Sequence, residues 1–262
     1  MRNPTPYKDI NAIVALFTKE LKKIFGTQIE GFYLTGSLTY GGFDKPSSDL
    51  DFIVVLKTPL SNVQRKKIKA MHAEVEKLYP EWMKRIEVPY LLQNLLGDSR
   101  PPKIPQPSFN AGELWEPDPT YDDNWLVDVY ALREYGITLL GPEPKSLIPP
   151  IKMEDVRKVS SRDLHNKWKK KLDSPKPFGD GKHWNIDLMQ AYYVLTMCRK
   201  LYRANNDGSD SKRISSKWAK QNYPEWKNLI EKAESWHMGL AMDARDEILD
   251  FIRFTLKEVS IN

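Results

Sequence analysis

The chain has 262 residues, of which 40% are hydrophobic and 29% are charged, so at about 150 residues per domain it predicts one or two globular domains and excludes general disorder. Its apolar runs are far shorter than the roughly 18 residues of a membrane span, and its start lacks the apolar core of a secretion signal. One cysteine excludes an internal disulfide and a thiolate zinc site, and we expect a soluble protein of the cytoplasm.

The first part of the chain alternates helical and strand patterns. Apolar residues at spacings of three and four predict a helix over 7–25, ended by Gly26. A second helix pattern covers 61–79, with Ser61 as its candidate N-cap. Short runs of β-branched and aromatic residues predict three strands, over 29–34, 50–56 and 85–92. This order predicts an α/β layer with a mixed sheet, in which the helix at 61–79 makes the crossover.

Prolines interrupt the middle of the chain, and helical patterns follow. Six prolines between 99 and 119 predict a long irregular loop, and a helix is expected over 124–140. The turn residues from Gly141 to Pro150 predict a domain boundary. Beyond it, candidate helices cover 153–172, 184–204, 211–222 and 224–257. The expected organisation is a domain over 1–150 and a helical domain over 151–262.

Residues 36–51 carry the pattern with the clearest chemistry. Gly36-Ser37 follows a predicted strand, where backbone amides and a hydroxyl at the start of a following helix would bind a phosphate. Asp49 and Asp51 are two residues apart on the next strand, so their carboxylates would share one face and bind a divalent cation through oxygen. Nucleotidyl transfer requires hydrogen-bond donors that hold the phosphates next to a magnesium site.

These residues also resemble a known family. Gly36-Ser37, Gly41 and Asp49-Leu50-Asp51 resemble the signature of the DNA polymerase β-like nucleotidyltransferases. The longer segment YLTGSLTYGGFDKPSSDLDFIVVL resembles the streptomycin and spectinomycin adenylyltransferases, and the similarity continues at Arg85-Ile86-Glu87-Val88, at Leu140-Gly141-Pro142 and from Asn185 to Trp218. The resemblance implies an α/β (α+β) nucleotidyltransferase domain with a mixed sheet over 1–150, followed by an all-α C-terminal domain over 151–262.

The resemblance also implies roles for individual residues. Gly36-Ser37 would contact the triphosphate of ATP, Asp49 and Asp51 would bind magnesium, and Glu87 would take the proton from the acceptor hydroxyl. Lys212 matches the lysine of the helical domain that holds an ATP phosphate. Glu87 also suits a base by itself, because a lone carboxylate in a mostly apolar strand should have a raised pKa.

The acceptor site is implied less directly. Trp115 and Asp180 lie near positions where the family binds its antibiotic, and a polycationic aminoglycoside requires carboxylates and aromatic faces. The segment 113–123 is rich in carboxylates. An arginine of the family that helps to hold ATP would fall at about Tyr192, and the nearest basic residue on that helix is Arg199.

Together these observations predict a magnesium-dependent enzyme that transfers AMP from ATP to a hydroxyl of an aminoglycoside or aminocyclitol antibiotic and releases pyrophosphate. The expected partners are ATP and a small, hydroxylated, cationic acceptor, with no membrane or nucleic acid, and the expected state is a monomer. One alternative is a nucleotidyltransferase that modifies a protein or RNA, favoured by the net charge of +6 over 151–262. Another is a catalytically silent relative, against which Asp49, Asp51 and Glu87 argue.

Overall fold

The structure is a computed structural model. It describes residues 3–260 except 46–47, 99, 105, 111, 116–123, 180, 182–184, 209 and 238, and except the side chains of Met83 and Trp115. The chain divides into two compact units, residues 1–150 and 151–262.

The first unit is built on a mixed sheet. Its strands are β1 (Ile29–Leu34), β2 (Leu50–Leu56), β3 (Ile86–Leu92), β4 (Ser108–Asn110), β5 (Glu113–Trp115) and β6 (Ile137–Leu140), in the spatial order β5-β4-β3-β2-β1-β6. Strands β2 and β3 are parallel, and the other neighbouring strands pair in antiparallel fashion. The predicted mixed sheet is confirmed, and its parallel pair lies at the centre.

In the described part of this unit the sheet is accompanied by the helices α1 (Lys8–Phe25), α2 (Asn62–Leu78), α3 (Pro80–Met83), α4 (Trp125–Tyr135) and α5 (Pro144–Leu147). The predicted crossover between β2 and β3 is α2, and Ser61 caps it: its Oγ accepts a hydrogen bond from the Gln64 amide at 3.3 Å, while Gln64 Oε1 accepts one from the Ser61 amide at 2.9 Å. The apolar face of α1 is buried in the core, where Phe17 packs against Phe32 of β1 and Phe52 of β2. These contacts fix the strands that carry the candidate site.

Two predictions for this unit were wrong. The helix expected over 124–140 ends at Tyr135, and 137–140 form β6, whose Thr138 pairs with Tyr33 of β1. The apolar pattern is continuous, but Gly136 and the exposed edge of β1 favour a strand. The segment expected to be irregular contains β4 and β5, because Phe109 finds a partner strand at Val88 of β3.

The second unit is helical, as predicted. It contains α6 (Met153–Asp163), a π-helical turn (Leu164–Trp168), α7 (Lys169–Leu172), α8 (Ile186–Asn205), α9 (Lys212–Asn222), α10 (Lys227–Ser235) and α11 (Arg245–Glu258). Helix α8 is central and contacts α6, α9, α10 and α11. Among the residues that the structure describes, no helix is long and apolar enough to cross a membrane.

The single helix predicted over 224–257 is wrong. A short 3₁₀ turn, α10 and α11 occupy that range, and α10 ends at Ser235. Side chains of α8 explain the interruption: Asp187 accepts a hydrogen bond from the Met242 amide at 2.8 Å, and Gln190 accepts one from the Ala244 amide at 3.2 Å. These amides therefore bond to another helix rather than continuing their own.

A buried ion pair links α6 to α8. Lys200 Nζ lies 2.5 Å from Asp163 Oδ2, and the two side chains are 5% and 2% exposed. We expect Asp163→Asn to lower the free energy of unfolding by about 3–5 kcal/mol, because it leaves a buried cation without its counterion. Urea denaturation followed by circular dichroism measures this change. The double variant Asp163→Leu/Lys200→Met should recover most of the loss, and a single variant as stable as the wild type would contradict the prediction.

Candidate active site

A tight turn joins β1 to the segment that leads to β2. The Thr35 amide donates to the carbonyl oxygen of Asp51 at 2.8 Å, and Gly36–Leu38 form one 3₁₀ turn. Gly36 has a φ of +67°, and a Cβ there would overlap Oδ2 of Asp51. Only glycine fits this position, both for its backbone and for the carboxylate against it. The turn is therefore packed directly on the aspartate.

The helix expected after Ser37 is absent from this turn, which is a correction. The Thr39 amide bonds back to the Gly36 carbonyl at 3.0 Å, and the Gly42 amide bonds to the Ser37 carbonyl at 3.0 Å. Gly36, Gly41 and Gly42 have low helix propensity, so this short segment favours turns over a longer helix. A phosphate bound at Ser37 would be held by local amides and the hydroxyl, without the dipole of a long helix.

The central parallel strands bring two carboxylates side by side. In the register of β2 and β3, Asp51 is the partner of Glu87. Asp49 precedes β2 instead of lying in it, which corrects the sequence prediction, and its side chain is 61% exposed. Asp49 and Asp51 nevertheless both affect Glu87 electrostatically. The three predicted acidic residues are therefore one group in space.

The pKa of Glu87 is raised by loss of hydration and by the negative charges around it. The side chain keeps an accessible surface, but the protein atoms around the carboxyl group remove part of its hydration. This partial desolvation raises its pKa to about 7, with further contributions from the charges of Asp51, Asp128 and Asp49. The raised pKa was expected from the apolar strand. Asp128, which comes from the first turn of α4, was not predicted as part of this group. Its only signal is that it follows the acidic segment 113–123.

The two carboxylates of Asp49 and Asp51 are enough for a magnesium ion whose other ligands include the phosphates of a bound nucleotide. Within the described residues, no group of three His, Cys, Asp or Glu side chains is arranged to hold a metal ion. Mg²⁺ is commonly bound by one or two carboxylates together with substrate phosphates. Asp49 and Asp51 lie close enough to Glu87 for their charges to act on it, and together they are suited to such a shared ion.

In the second unit, Lys212 is the first residue of α9. Ser211 caps this helix by accepting a hydrogen bond from the Ile214 amide at 3.2 Å. The Lys212 ammonium lies 6.0 Å from the ring centroid of Tyr192, the residue at the position where the resemblance implies an arginine. Arg199 instead donates to the Asp210 carbonyl at 3.0 Å. It thus helps to fix the segment before Lys212.

The two predicted acceptor residues are only partly described. Trp115 is the last residue of β5 and pairs with Ser108 of β4, but its side chain lies outside the described residues. Asp180 lies wholly outside them. Their roles stay predictions.

The mixed sheet, the glycine–serine turn and the adjacent carboxylates define a nucleotidyltransferase domain. A family model for the nucleotidyltransferase domain matches residues 14–96, and a model for the C-terminal domain of aminoglycoside adenylyltransferases matches residues 146–258. The second half of the chain thus matches the C-terminal domain of aminoglycoside adenylyltransferases, and the first half matches the nucleotidyltransferase domain. The predicted resemblance and the predicted enzyme class are thereby confirmed.

Individual relatives cover nearly the whole chain. A spectinomycin 9-adenylyltransferase of Staphylococcus aureus is 24% identical over 250 residues, covering 91% of this chain and 89% of its own. One of Campylobacter jejuni is 24% identical over 266 aligned residues, covering 96% and 95%. The crystal structure of spectinomycin adenyltransferase AAD(9) from Enterococcus faecialis with ATP and spectinomycin has a TM-score of 0.68 at 18% identity, covering 95% of this chain and 98% of that one.

Proposed function

We propose that the protein transfers AMP from ATP to a hydroxyl of an aminoglycoside or aminocyclitol, with magnesium, and releases pyrophosphate. The observation that carries this proposal is the pairing of Asp51 with Glu87 across β2 and β3, with Gly36 packed against Asp51. The proposal is supported because a candidate base, a candidate metal ligand and a candidate phosphate-binding turn are neighbours in this arrangement. The spectinomycin 9-adenylyltransferases among the relatives support the acceptor class.

Each side chain then has one task. The Ser37 turn holds phosphate oxygens of ATP with amide and hydroxyl donors, and Asp49 and Asp51 hold the magnesium ion. When bound, magnesium neutralises charge on the phosphates and on the departing pyrophosphate. Glu87 accepts the proton of the acceptor hydroxyl as its oxygen attacks the α-phosphorus. We also propose that the enzyme works in the cytoplasm, as a monomer.

The experiment that tests this function is direct. The protein is incubated with ATP, magnesium and separately with spectinomycin, streptomycin and other aminoglycosides, and mass spectrometry looks for an added AMP while a coupled assay measures pyrophosphate. We expect a product with at least one of them. If AMP from ATP is transferred only to protein or RNA, the proposed acceptor class is wrong. No transfer to any acceptor would refute the proposed function.

The charge of Asp128 suits a cationic acceptor. We expect Asp128→Asn to raise the KM for the acceptor about tenfold, because one charge-assisted contact of about 1.4 kcal/mol is weakened. The KM for ATP should change little, because ATP is anionic. Steady-state kinetics with each substrate varied in turn measures both values, and a larger effect on ATP than on the acceptor would contradict the assignment.

Lys212 is proposed to bind an ATP phosphate. Loss of a hydrogen bond to a charged group costs about 1.5–3 kcal/mol, so we expect Lys212→Ala to weaken ATP binding by about 10–100-fold in calorimetry. The matched control is Lys217→Ala, since Lys217 is another exposed lysine of α9. Equal ATP affinity in the two variants would remove Lys212 from the site.

A further inference from the structure

Arg85 contacts the chain on both sides of Asp49. It lies immediately before β3, two residues from Glu87, and its Nη2 donates to the carbonyl oxygens of Lys45, at 2.7 Å, and of Ser48. Its own carbonyl accepts a hydrogen bond from the Leu50 amide at 2.7 Å. One residue thus fixes the backbone directly before and directly after the exposed aspartate.

The Arg85 side chain is itself held in place. Its guanidinium lies 4.5 Å from the ring of Trp82, which is 1% exposed. The Trp82 indole donates to Asp9 Oδ2 at 3.0 Å, and the same oxygen is 2.9 Å from Lys45 Nζ. Trp82, on which Arg85 stacks, and Lys45, whose carbonyl oxygen Arg85 binds, therefore both contact Asp9 at the start of α1, which forms the Asp9 anchor. Such a stacked, forked cation is a geometry that arginine provides and lysine does not.

The distance to Asp49 indicates how Arg85 acts on it. Arg85 Nε is 4.0 Å from Asp49 Oδ1, which is too long for a hydrogen bond. Nε is also buried without a hydrogen-bond partner among the residues the structure describes. Arg85 thus holds the backbone around Asp49 without donating to this carboxylate oxygen.

We propose that Arg85 is a positioning residue that places Asp49 for metal binding. The proposal rests on the proposed function, in which Asp49 is a magnesium ligand. Asp49 lies outside the strand, so its position depends on the segment before it, whereas Asp51 is fixed by β2 and by Gly36. Groups that orient a metal ligand typically change metal affinity or activity by about 10–100-fold when replaced. Arg85 also ties this segment to the strand of Glu87, so the metal ligand and the base share one support.

Two substitutions separate the geometry of Arg85 from its charge. Arg85→Lys keeps the positive charge but loses the planar fork and the stacking, and Arg85→Met loses both. We expect both variants to bind Mn²⁺ about 10–100-fold more weakly than the wild type in the presence of α,β-methylene-ATP, measured by the electron paramagnetic resonance signal of free Mn²⁺. In turnover assays the magnesium concentration for half-maximal rate should rise, and high magnesium should restore kcat. A loss of folded protein alone would lower the rate without moving that concentration.

Arg100 provides the matched control. Its side chain is 84% exposed in the same unit and pairs with Asp98, so Arg100→Lys and Arg100→Met should bind Mn²⁺ as the wild type does. If Arg85→Lys keeps wild-type Mn²⁺ affinity, charge alone suffices and the positioning role is overturned.

A further variant covers the case in which the Arg85 variants do not fold, as judged by circular dichroism. Lys45→Ala removes only a half-exposed side chain from the Asp9 anchor, and we expect it to weaken Mn²⁺ binding measurably, by up to about tenfold. Unchanged affinity in that variant would overturn the proposal as well.

The outcomes distinguish this proposal from the proposed function. A wild-type protein that neither binds Mn²⁺ with the nucleotide nor transfers AMP refutes the function, and the metal-positioning role with it. A wild-type protein that binds Mn²⁺ and transfers AMP, with Arg85 variants that bind Mn²⁺ equally well, refutes the positioning role alone. If the wild-type protein binds Mn²⁺ but transfers no AMP, the Mn²⁺ affinities of the Arg85 variants alone decide whether Arg85 positions Asp49.

Discussion

Asp51→Asn is expected to abolish adenylyl transfer while the first unit stays folded. Asp51 touches Gly36 on one side and is the register partner of Glu87 on the other, and asparagine preserves its shape. The substitution removes a negative ligand from a hard cation, which removes transition-state stabilisation of several kcal/mol. We expect the same direction for Asp49→Asn. Rates are measured at saturating ATP and magnesium.

Controls separate the metal from other causes. Glu76→Gln removes an exposed carboxylate from α2 in the same unit, and it should keep the wild-type rate. Circular dichroism and urea denaturation check the fold. Because Asp51 raises the pKa of Glu87, its loss lowers that pKa and favours the ionised base, so slower turnover is not due to a protonated Glu87. Wild-type activity in either aspartate variant would show that the metal assignment is wrong.

The sequence predicted well those helices and strands whose hydrophobic spacing and end residues lie within the element itself. The apolar runs predicted the bounds of β1 and β2 to the residue, although the metal-site prediction wrongly placed Asp49 within β2, and the helices α1 and α2 were predicted to within one residue at each end. Strand β6 was missed because the residues 137–140 fit the end of a helix as well as they fit an edge strand. What makes them a strand is their pairing with β1, which the sequence pattern does not show. Strands β4 and β5, of three residues each, likewise depend on their partners.

The site was predictable as a motif but not as an arrangement. The spacing of Gly36 and the two aspartates pointed to phosphate and metal, yet the contact of Gly36 with Asp51 and the pairing with Glu87 depend on strand register. Asp128 was missed because it lies in α4, about 40 positions after Glu87, and its charge reaches Glu87 only in the folded unit. The contacts of Arg85 with the segment before Asp49 were hidden for the same reason.

Glu87→Gln is expected to reduce kcat by about 10²–10⁴-fold, which is the usual contribution of a positioned base to proton transfer. Glutamine keeps the shape and the hydrogen-bonding reach of the side chain but cannot accept the proton. Desolvation raises the pKa of Glu87, and the negative charges of Asp51, Asp128 and Asp49 raise it further. A cation held by the two metal ligands should offset these charges, lower the pKa and keep the base ionised at neutral pH. The affinities for ATP and for the acceptor, measured by calorimetry, should stay within a few-fold.

The matched comparison is Glu87→Asp, which keeps a basic carboxylate but shortens its reach by one methylene. If Glu87 is the base, the rate of transfer depends on both its reach and its proton affinity. The Glu87→Asp variant should then be slower than the wild type and faster than Glu87→Gln. A metal ligand predicts a different pattern, because the glutamine variant would then lose magnesium-dependent ATP binding and regain activity at high magnesium. In that case Glu87 is a third carboxylate of the metal site. The base would then be sought at Asp128, whose charge reaches Glu87, or at Asp118, Asp122 and Asp123, which lie outside the described residues.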